Sequence, residues 1–189
     1  KAFGEDVFDV IENNPERLDS LEGVGPKRKE IIVGGWQEQK QIREIMVFLH
    51  AHALSTARAV RIYKTYGNAS IDVLHRNPYK LSEDIRGIGF LSADKIAATL
   101  GIEKNSAERI KAGLSHMLKL SFEGGLCGVP TEQLITKTAT LLGLEPQLVE
   151  EVLRNQITEE KIIEFIHPRL NLAVCYVPVL YHTERQVSL

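Results

Sequence analysis

Two short glycine turns carry the most specific chemical signal in the sequence. Both have the pattern apolar–x–Gly–apolar–Gly, at Leu21-Glu-Gly-Val-Gly25 and at Ile85-Arg-Gly-Ile-Gly89, and a helical pattern follows each. Glycine is favoured where φ is positive or where another group must approach the backbone closely. Such a turn leaves backbone N–H groups pointing outward beside the positive end of a helix, and this arrangement binds anions. A plain glycine-rich connection would explain one copy, but two copies predict phosphate binding.

The predicted phosphate-binding residues are the turns and the nearest basic side chains. They are Gly23, Val24, Gly25, Lys27, Arg28, Gly87, Ile88, Gly89 and Lys95. Val24 and Ile88 are expected to point into the core, and the four glycines are expected to include residues with positive φ. Trp36 and the tyrosines have the spacing of core residues, whereas Tyr79 and Phe90 are weaker candidates for stacking on bases.

An internal repeat positions both turns. Residues 1–18 align with residues 64–81 at an offset of 63, and Lys, Gly, Asp, Val, Asn, Pro and Leu are identical across the alignment. After one inserted residue the two glycine turns also align. Because Lys64–Gly67 closes a predicted helix, Lys1–Gly4 is expected to be the last turn of another. The chain is therefore interpreted as an internal piece of a longer protein.

Each repeat is predicted to be a short helix, an Asn-Pro break, the glycine turn and a second helix. The residue before proline is driven out of the α region, so the short helices should end there. The predicted helices are 6–13 and 26–39 in the first repeat, and 70–76 and 91–100 in the second. Ser92 is a candidate cap for the last of these, and Gly101 a candidate end.

A third helical pair is predicted between the repeats, at 42–67. Ser55 is a candidate N-cap for its second helix. The turn of this pair has Ala53 and no glycine, so phosphate binding is not expected there.

The C-terminal third has a different pattern. Three helical stretches are marked by the apolar residues near 110–118, 134–142 and 148–153, and two β-like runs follow at Ile162–Ile166 and Leu172–Val177. Three helices with a β-hairpin suggest a winged-helix arrangement. The third helix carries Glu145, Glu150 and Glu151, which argues against DNA-groove binding and favours a structural or docking role. Residues 178–189 are expected to be a connector that is poorly ordered or packed on a neighbour.

Composition and charge favour a phosphate-binding protein and argue against a membrane protein or an enzyme with its own catalytic site. The net charge is -2, but residues 54–80 hold five basic side chains and one acidic, which favours a local phosphate-binding face. Two cysteines form no metal-like spacing and indicate a reducing compartment, the cytoplasm. No apolar run reaches 18 residues, so no membrane span is predicted. No phosphate-loop motif or recognisable nuclease, metal or catalytic-triad cluster is present, so no catalytic residue is assigned.

The glycine turns resemble the helix-hairpin-helix motif, in Leu18-x-x-Leu21-x-Gly-Val-Gly-Pro-Lys-Arg28-x-x-x-Ile32 and in Ile85–Ala97. The stretches 43–49, 59–67 and 84–90 also resemble the N-terminal region of long-form bacterial RecD-like helicases, a resemblance that extends over residues 1–165. It implies a parent with ATP-driven 5′-to-3′ DNA helicase activity, often described as the alpha subunit of exodeoxyribonuclease V.

The expected fold is mainly α, with tandem helix-hairpin-helix repeats followed by a winged-helix-like segment with a small β-hairpin. The predicted domains are a DNA-binding domain at 1–104, a winged-helix-like domain at 105–177 and a linker at 178–189 toward a helicase motor. The expected partners are the phosphate backbone of single- or double-stranded DNA and that motor in cis. ATP and Mg²⁺ are expected only in the motor, and no cofactor here. The alternative is a protein-interaction module that docks a partner through the helix-hairpin-helix fold.

Overall fold

The computed structural model describes residues 3–52, 54–168 and 171–187. The chain divides into two compact units, Lys1–Val73 and Leu74–Leu189. The boundary predicted after residue 104 therefore lies inside the second unit, which holds the second glycine turn together with the winged-helix-like segment. Among the described residues, no helix is long and apolar enough to cross a membrane.

The first unit is entirely helical in its described part. Its helices are α1 (Val7–Asn13), α2 (Pro26–Ala51) and α3 (Thr56–Tyr66), with 3-10 turns at Gly4–Asp6, Pro15–Ser20 and Gly67–Ala69, and α4 (Ser70–Arg76) contains the unit boundary. The start of α3 follows Ser55 as predicted, although the Ser55 side chain makes no capping hydrogen bond. Gly4 and Gly67 have φ of 53° and 55°, so the sequence repeat is also a repeat of backbone conformation.

One continuous α2 replaces the helix predicted at 26–39 and the first helix of the pair predicted at 42–67, so the predicted break between them was wrong. The repeat suggested a short helix after each glycine turn, but no proline or turn sequence interrupts residues 39–42. Gly34 and Gly35 weaken a helix by only about 1 kcal/mol each, which does not stop it. α2 packs on α3, and the buried residues are Ile45 and Leu49 on α2 and Ala59 and Ile62 on α3. Ala53 lies outside the described residues.

The second unit joins the remainder of the second repeat to a mixed α/β segment. Its helices are α5 (Lys80–Asp84), α6 (Phe90–Thr99), α7 (Ala107–Glu123), α8 (Thr131–Leu142), α9 (Pro146–Thr158) and α10 (Pro178–Val187), and its strands are β1 (Gly128–Pro130), β2 (Ile163–His167) and β3 (Leu172–Tyr176). Gly101, with φ of 81°, follows α6 as expected.

The winged-helix-like arrangement is present, and the mainly α fold class is confirmed. The order along the chain is α7–β1–α8–α9–β2–β3, and the antiparallel sheet has the strand order β1-β3-β2. The predicted hairpin pairs Phe165 with Val174. The third strand, β1, was not predicted, because a three-residue strand contains too little sequence for an alternating pattern. Leu114, Leu134 and Leu153, one from each helix, are fully buried.

Residues 178–187 form α10, which packs on the sheet, so the packed alternative describes this stretch and the poorly ordered one does not. Tyr181 on α10 contacts the rings of Phe165 and Tyr176, with centroid separations of 6.0 and 5.6 Å. Aromatic contacts with the sheet hold the helix. Residues 188–189 lie outside the described residues, and the linker role of 178–189 stays a prediction.

Candidate nucleic-acid interface

The first hairpin, Leu21–Gly25, is a tight turn that ends where α2 begins. Gly23 has φ of 80°, a conformation that only glycine adopts without strain. The backbone N–H of Val24 donates to the carbonyl of Leu21 at 3.1 Å, and that of Lys29 donates to the carbonyl of Gly25 at 3.0 Å. Gly25 is extended, with φ of -87° and ψ of 177°, and is the N-cap residue of α2.

The second hairpin, Ile85–Gly89, follows the same backbone path. Gly87 has φ of 90°, and Gly89 is extended at φ -87° and ψ 172° as the N-cap of α6. The Ile88 N–H donates to the carbonyl of Ile85 at 3.1 Å. The prediction that the four glycines include residues with positive φ is therefore confirmed at the first glycine of each hairpin, whereas the second glycine serves as the helix cap.

The two hairpins differ in how deeply they are anchored. Ile88 is 2% exposed and lies in the core, as expected. Val24 is only half-buried, so the same expectation holds incompletely for the first hairpin. The first turns of α2 bury less apolar surface than those of α6, since Ile31 is 65% exposed whereas Phe90 and Ala93 are buried. The first hairpin is thus the less deeply anchored of the two.

Both helix starts leave backbone donors without a side-chain cap. Neither Gly25 nor Gly89 has a side chain to offer, and the first turns of α2 and α6 contain no acidic residue. The Ser92 cap was predicted wrongly, because Ser92 lies inside α6 and its N–H donates to the carbonyl of Gly89. N–H groups at an uncapped helix start, together with the helix dipole, favour an anion.

Basic side chains surround the first hairpin. Lys27 and Arg28 are exposed, and Arg28 Nη1 donates to the carbonyl of Gly23 at 2.7 Å, which holds the guanidinium against the turn. Lys29 is paired with Asp19 at 2.7 Å. Since the remaining guanidinium N–H groups and the Lys27 ammonium are on the surface, the hairpin can offer charged and backbone donors to the same anion.

The second hairpin borders a groove of about 700 Å³ against α7. Two cations that the sequence interpretation did not single out line it, Arg86 in the turn and Lys119 on α7. Arg86 could have been noticed within the motif, but nothing local relates Lys119 to a turn some 30 residues away. Carboxylates of Glu83, Asp84 and Glu123 also line the groove, so its net charge is not positive.

Lys95 is exposed but does not lie at the second hairpin. It is six residues beyond Gly89, a distance of about 9 Å along the helix axis. The structure therefore places Lys27 and Arg28 at their turn and Lys95 farther from its own.

Comparison with known proteins finds a family model that matches the middle of the chain. Residues 38–127 match the family model described as the ATP-dependent RecD2 DNA helicase HHH domain. This stretch is therefore similar to a RecD2-type helix-hairpin-helix domain, and residues 38–127 are called the RecD2-type domain below. This domain contains the second hairpin, whereas the first hairpin precedes the matched residues.

A curated relative agrees with this assignment. The chain is 29% identical over 121 residues to the ATP-dependent RecD2 DNA helicase of Deinococcus radiodurans. The match covers 64% of this chain and 17% of the relative, so the matched part of the chain spans about a sixth of the length of that helicase.

Two aromatic residues of the RecD2-type domain were predicted as candidates for base stacking, but both are buried and pack inside the protein. Tyr79 is 2% exposed and Phe90 is 3% exposed, and their rings stack with centroids 5.9 Å apart. Phe90 also stacks on His116 of α7 at 5.2 Å. Burial lowers the pKa of His116, which favours the neutral form of its ring. These rings hold α6 against α7.

An ion pair fixes the same two helices of the RecD2-type domain. Arg109 of α7 donates to both carboxylate oxygens of Asp94 on α6, at 2.8 and 3.0 Å, and Tyr79 Oη donates to Asp94 at 2.8 Å. Burial would raise the pKa of Asp94, but these hydrogen bonds outweigh it and leave that pKa lowered. Burial and the bond to Asp94 raise the pKa of Tyr79. The pair positions the helix that follows the second hairpin.

Replacing glycine by alanine is expected to change the stability of the first unit in opposite directions at two positions. Gly23→Ala is expected to destabilise the protein by about 1 kcal/mol or more, because alanine resists a φ of 80°. Gly34→Ala, in the middle of α2 with open space around the added methyl group, should stabilise it by up to about 1 kcal/mol. Urea unfolding followed by circular dichroism measures both changes. Equal effects of the two substitutions would contradict the assigned turn conformation.

Proposed function

We propose that this chain is the non-sequence-specific DNA-binding module of an ATP-dependent 5′-to-3′ DNA helicase that acts in DNA repair and recombination. The observation that carries the proposal is the repeated hairpin. Two turns of the same backbone conformation each present an uncapped helix start, and one of them belongs to a RecD2-type domain. The relative from Deinococcus radiodurans, named as an ATP-dependent DNA helicase, supports the parent activity.

The chemistry of the hairpins favours phosphate contacts over base contacts. Backbone N–H groups at a helix start and nearby Lys and Arg side chains reach phosphate oxygens, which are the same for every sequence. Lys27 and Arg28 supply the charged donors at the first hairpin, while the second hairpin relies on its backbone and on Arg86 and Lys119. The module would hold DNA while a motor elsewhere in the parent chain hydrolyses ATP with Mg²⁺ in the cytoplasm.

Salt dependence tests this function. With two hairpins that each contact one or two phosphates, the slope of log K against log salt on duplex DNA is expected to be about -2 to -4. Affinity should lie near the micromolar end of non-specific binding, on the order of 10⁻⁶ M. Fluorescence anisotropy on two unrelated duplexes and one single strand, at several salt concentrations, measures both quantities. Strong preference for one duplex, or no binding at low salt, would contradict the proposal.

A protein-docking role is the second candidate, and features of the winged-helix-like segment favour it. Ile166 and Leu172 on the β2–β3 hairpin are 61% and 40% exposed, and α9 presents the exposed carboxylates Glu150 and Glu151. Exposed apolar side chains beside acidic ones suit a protein partner better than a phosphate backbone. Binding that is insensitive to salt, or absent on all three DNA probes, would favour this role over DNA binding.

A further inference from the structure

The first unit has an exposed aromatic stack on the helix that begins at the first hairpin. Phe8 of α1 lies parallel to Trp36 of α2, with ring centroids 4.6 Å apart and an interplanar angle of 19°. Phe8 is 54% exposed and Trp36 is half-buried. Single exposed apolar residues are common on protein surfaces, but a parallel stack with an open outer ring is a preformed surface for another flat ring.

Polar contacts hold the indole in place. Trp36 Nε1 donates to Glu12 Oε1 at 2.9 Å, and Lys40 Nζ donates to the other oxygen of the same carboxylate at 2.9 Å. The Arg43 guanidinium lies 5.8 Å from the Trp36 ring centroid, within cation–π range. The Lys40 ammonium offsets the Glu12 carboxylate, and Arg43 supplies a positive charge beside the Trp36 ring.

The stack and the first hairpin share one helix. Trp36 is ten residues beyond Pro26, so about 15 Å of helix axis separates it from the hairpin. Lys29, Trp36 and Arg43 recur every seven residues and therefore lie on one face of α2. An extended strand whose phosphate occupies the hairpin can follow this face and bring one of its bases to Phe8.

We propose that the Phe8–Trp36 stack is a binding site for an unpaired base, and that the first unit binds single-stranded nucleic acid through it. Every base has a π face that stacks on aromatic rings, so the site is tolerant of sequence. In a duplex the faces of the bases are covered by their neighbours, so the stack contributes nothing there. This inference rests on the proposed DNA binding and adds a preference for single strands.

Trp36 itself reports on the site, because it is the only tryptophan among the 189 residues. Titration of the chain with unlabelled oligothymidylate is expected to change Trp36 emission in a saturable manner, and a duplex of equal length should change it much less. Binding of oligothymidylate that is visible by anisotropy but leaves Trp36 emission unchanged would overturn the inference. The proposed phosphate binding by the hairpins would still stand in that case.

Substitution of Phe8 separates stacking from charge. Phe8→Ala is expected to weaken binding of labelled oligothymidylate by about fivefold or more, the loss typical of one aromatic–base stack, while duplex affinity stays unchanged. Phe122→Ala removes a ring of similar exposure, 48%, from α7 and should change neither affinity. Equal weakening on duplex and single strand, or no weakening on either, would contradict base stacking.

A conservative variant keeps the test decisive if alanine disturbs the fold. Phe8→Leu retains apolar contact with Trp36 but has no aromatic face, and circular dichroism checks that it is folded. A folded Phe8→Leu protein with reduced affinity for oligothymidylate supports the stack, and one with full affinity rejects it. Absence of DNA binding by the unsubstituted chain would instead contradict the proposed function as well.

Discussion

Replacing Arg109 with alanine is expected to lower the free energy of unfolding by about 3 kcal/mol. The substitution removes both hydrogen bonds to Asp94 and leaves that carboxylate, only 22% exposed, without its counter-charge. It also removes donors to the carbonyls of Lys104 and Leu142, at 2.8 and 3.0 Å, so a hydrogen bond between α7 and the end of α8 is lost. Urea unfolding followed by circular dichroism measures the change.

Arg154→Ala is the matched control for this prediction. Arg154 pairs with Glu150 and Glu164 in the same unit, but its side chain is 53% exposed and solvent screens the pair. Its loss should cost at most about 1 kcal/mol. If Arg109→Ala were no more destabilising than Arg154→Ala, the part assigned to the Asp94–Arg109 pair would be wrong.

The same pair gives a direction for the pH dependence of stability. Because the folded-state pKa of Asp94 is below its ordinary value of 3.8, the carboxylate contributes stability above about pH 4 and loses it as the pH falls through the lower folded value. Asp94→Asn should flatten that part of the profile. An unchanged acid profile in Asp94→Asn would indicate that other carboxylates dominate the acid sensitivity.

Lys27→Ala combined with Arg28→Ala is expected to weaken DNA binding by about tenfold at low salt and to make the salt slope shallower by about 1 to 2. Both side chains are exposed beside the first hairpin, where they supplement the backbone donors. Since these groups reach phosphates, the loss should be equal on unrelated duplexes. Fluorescence anisotropy at several salt concentrations, on the duplexes used for the unsubstituted chain, measures it.

A double variant with the same change in net charge provides the control. Lys104 and Lys161 are exposed and belong to the second unit, and Lys104 follows the end of α6 opposite the second hairpin. Lys104→Ala with Lys161→Ala should leave the slope nearly unchanged. Equal losses in the two double variants would show that net charge, rather than the first hairpin, determines the affinity.

The backbone of the two turns was predictable because glycine pairs and an internal repeat are local signals. Gly23 and Gly87 have the positive φ that the pattern requires, and Asn14-Pro15 and Asn77-Pro78 follow α1 and α4 at equivalent positions. The winged-helix-like segment was predictable for the same reason, since apolar periodicity marks its helices and its longer strands.

The remainder depends on contacts between distant residues, which no local pattern records. Helical spacing assigned Trp36 to the core, but its ring lies at the surface against Phe8, 28 residues earlier. Tyr79 and Phe90 had the residue types for base stacking, yet packing against α7 buries them. Analogy between the repeats shortened α2, because the second repeat has a helix of only ten residues.

The uninterrupted α2 has a mechanical consequence. Its 26 residues form a rod roughly 39 Å long, with the first hairpin at one end and the contact with α3 toward the other. A force applied to the first hairpin would be transmitted along this helix toward its contact with α3. Bending should be concentrated at Gly34–Gly35, because glycine offers the least resistance to a kink and no side chain there braces the helix. The glycine pair is thus the most flexible point of an otherwise rigid helix.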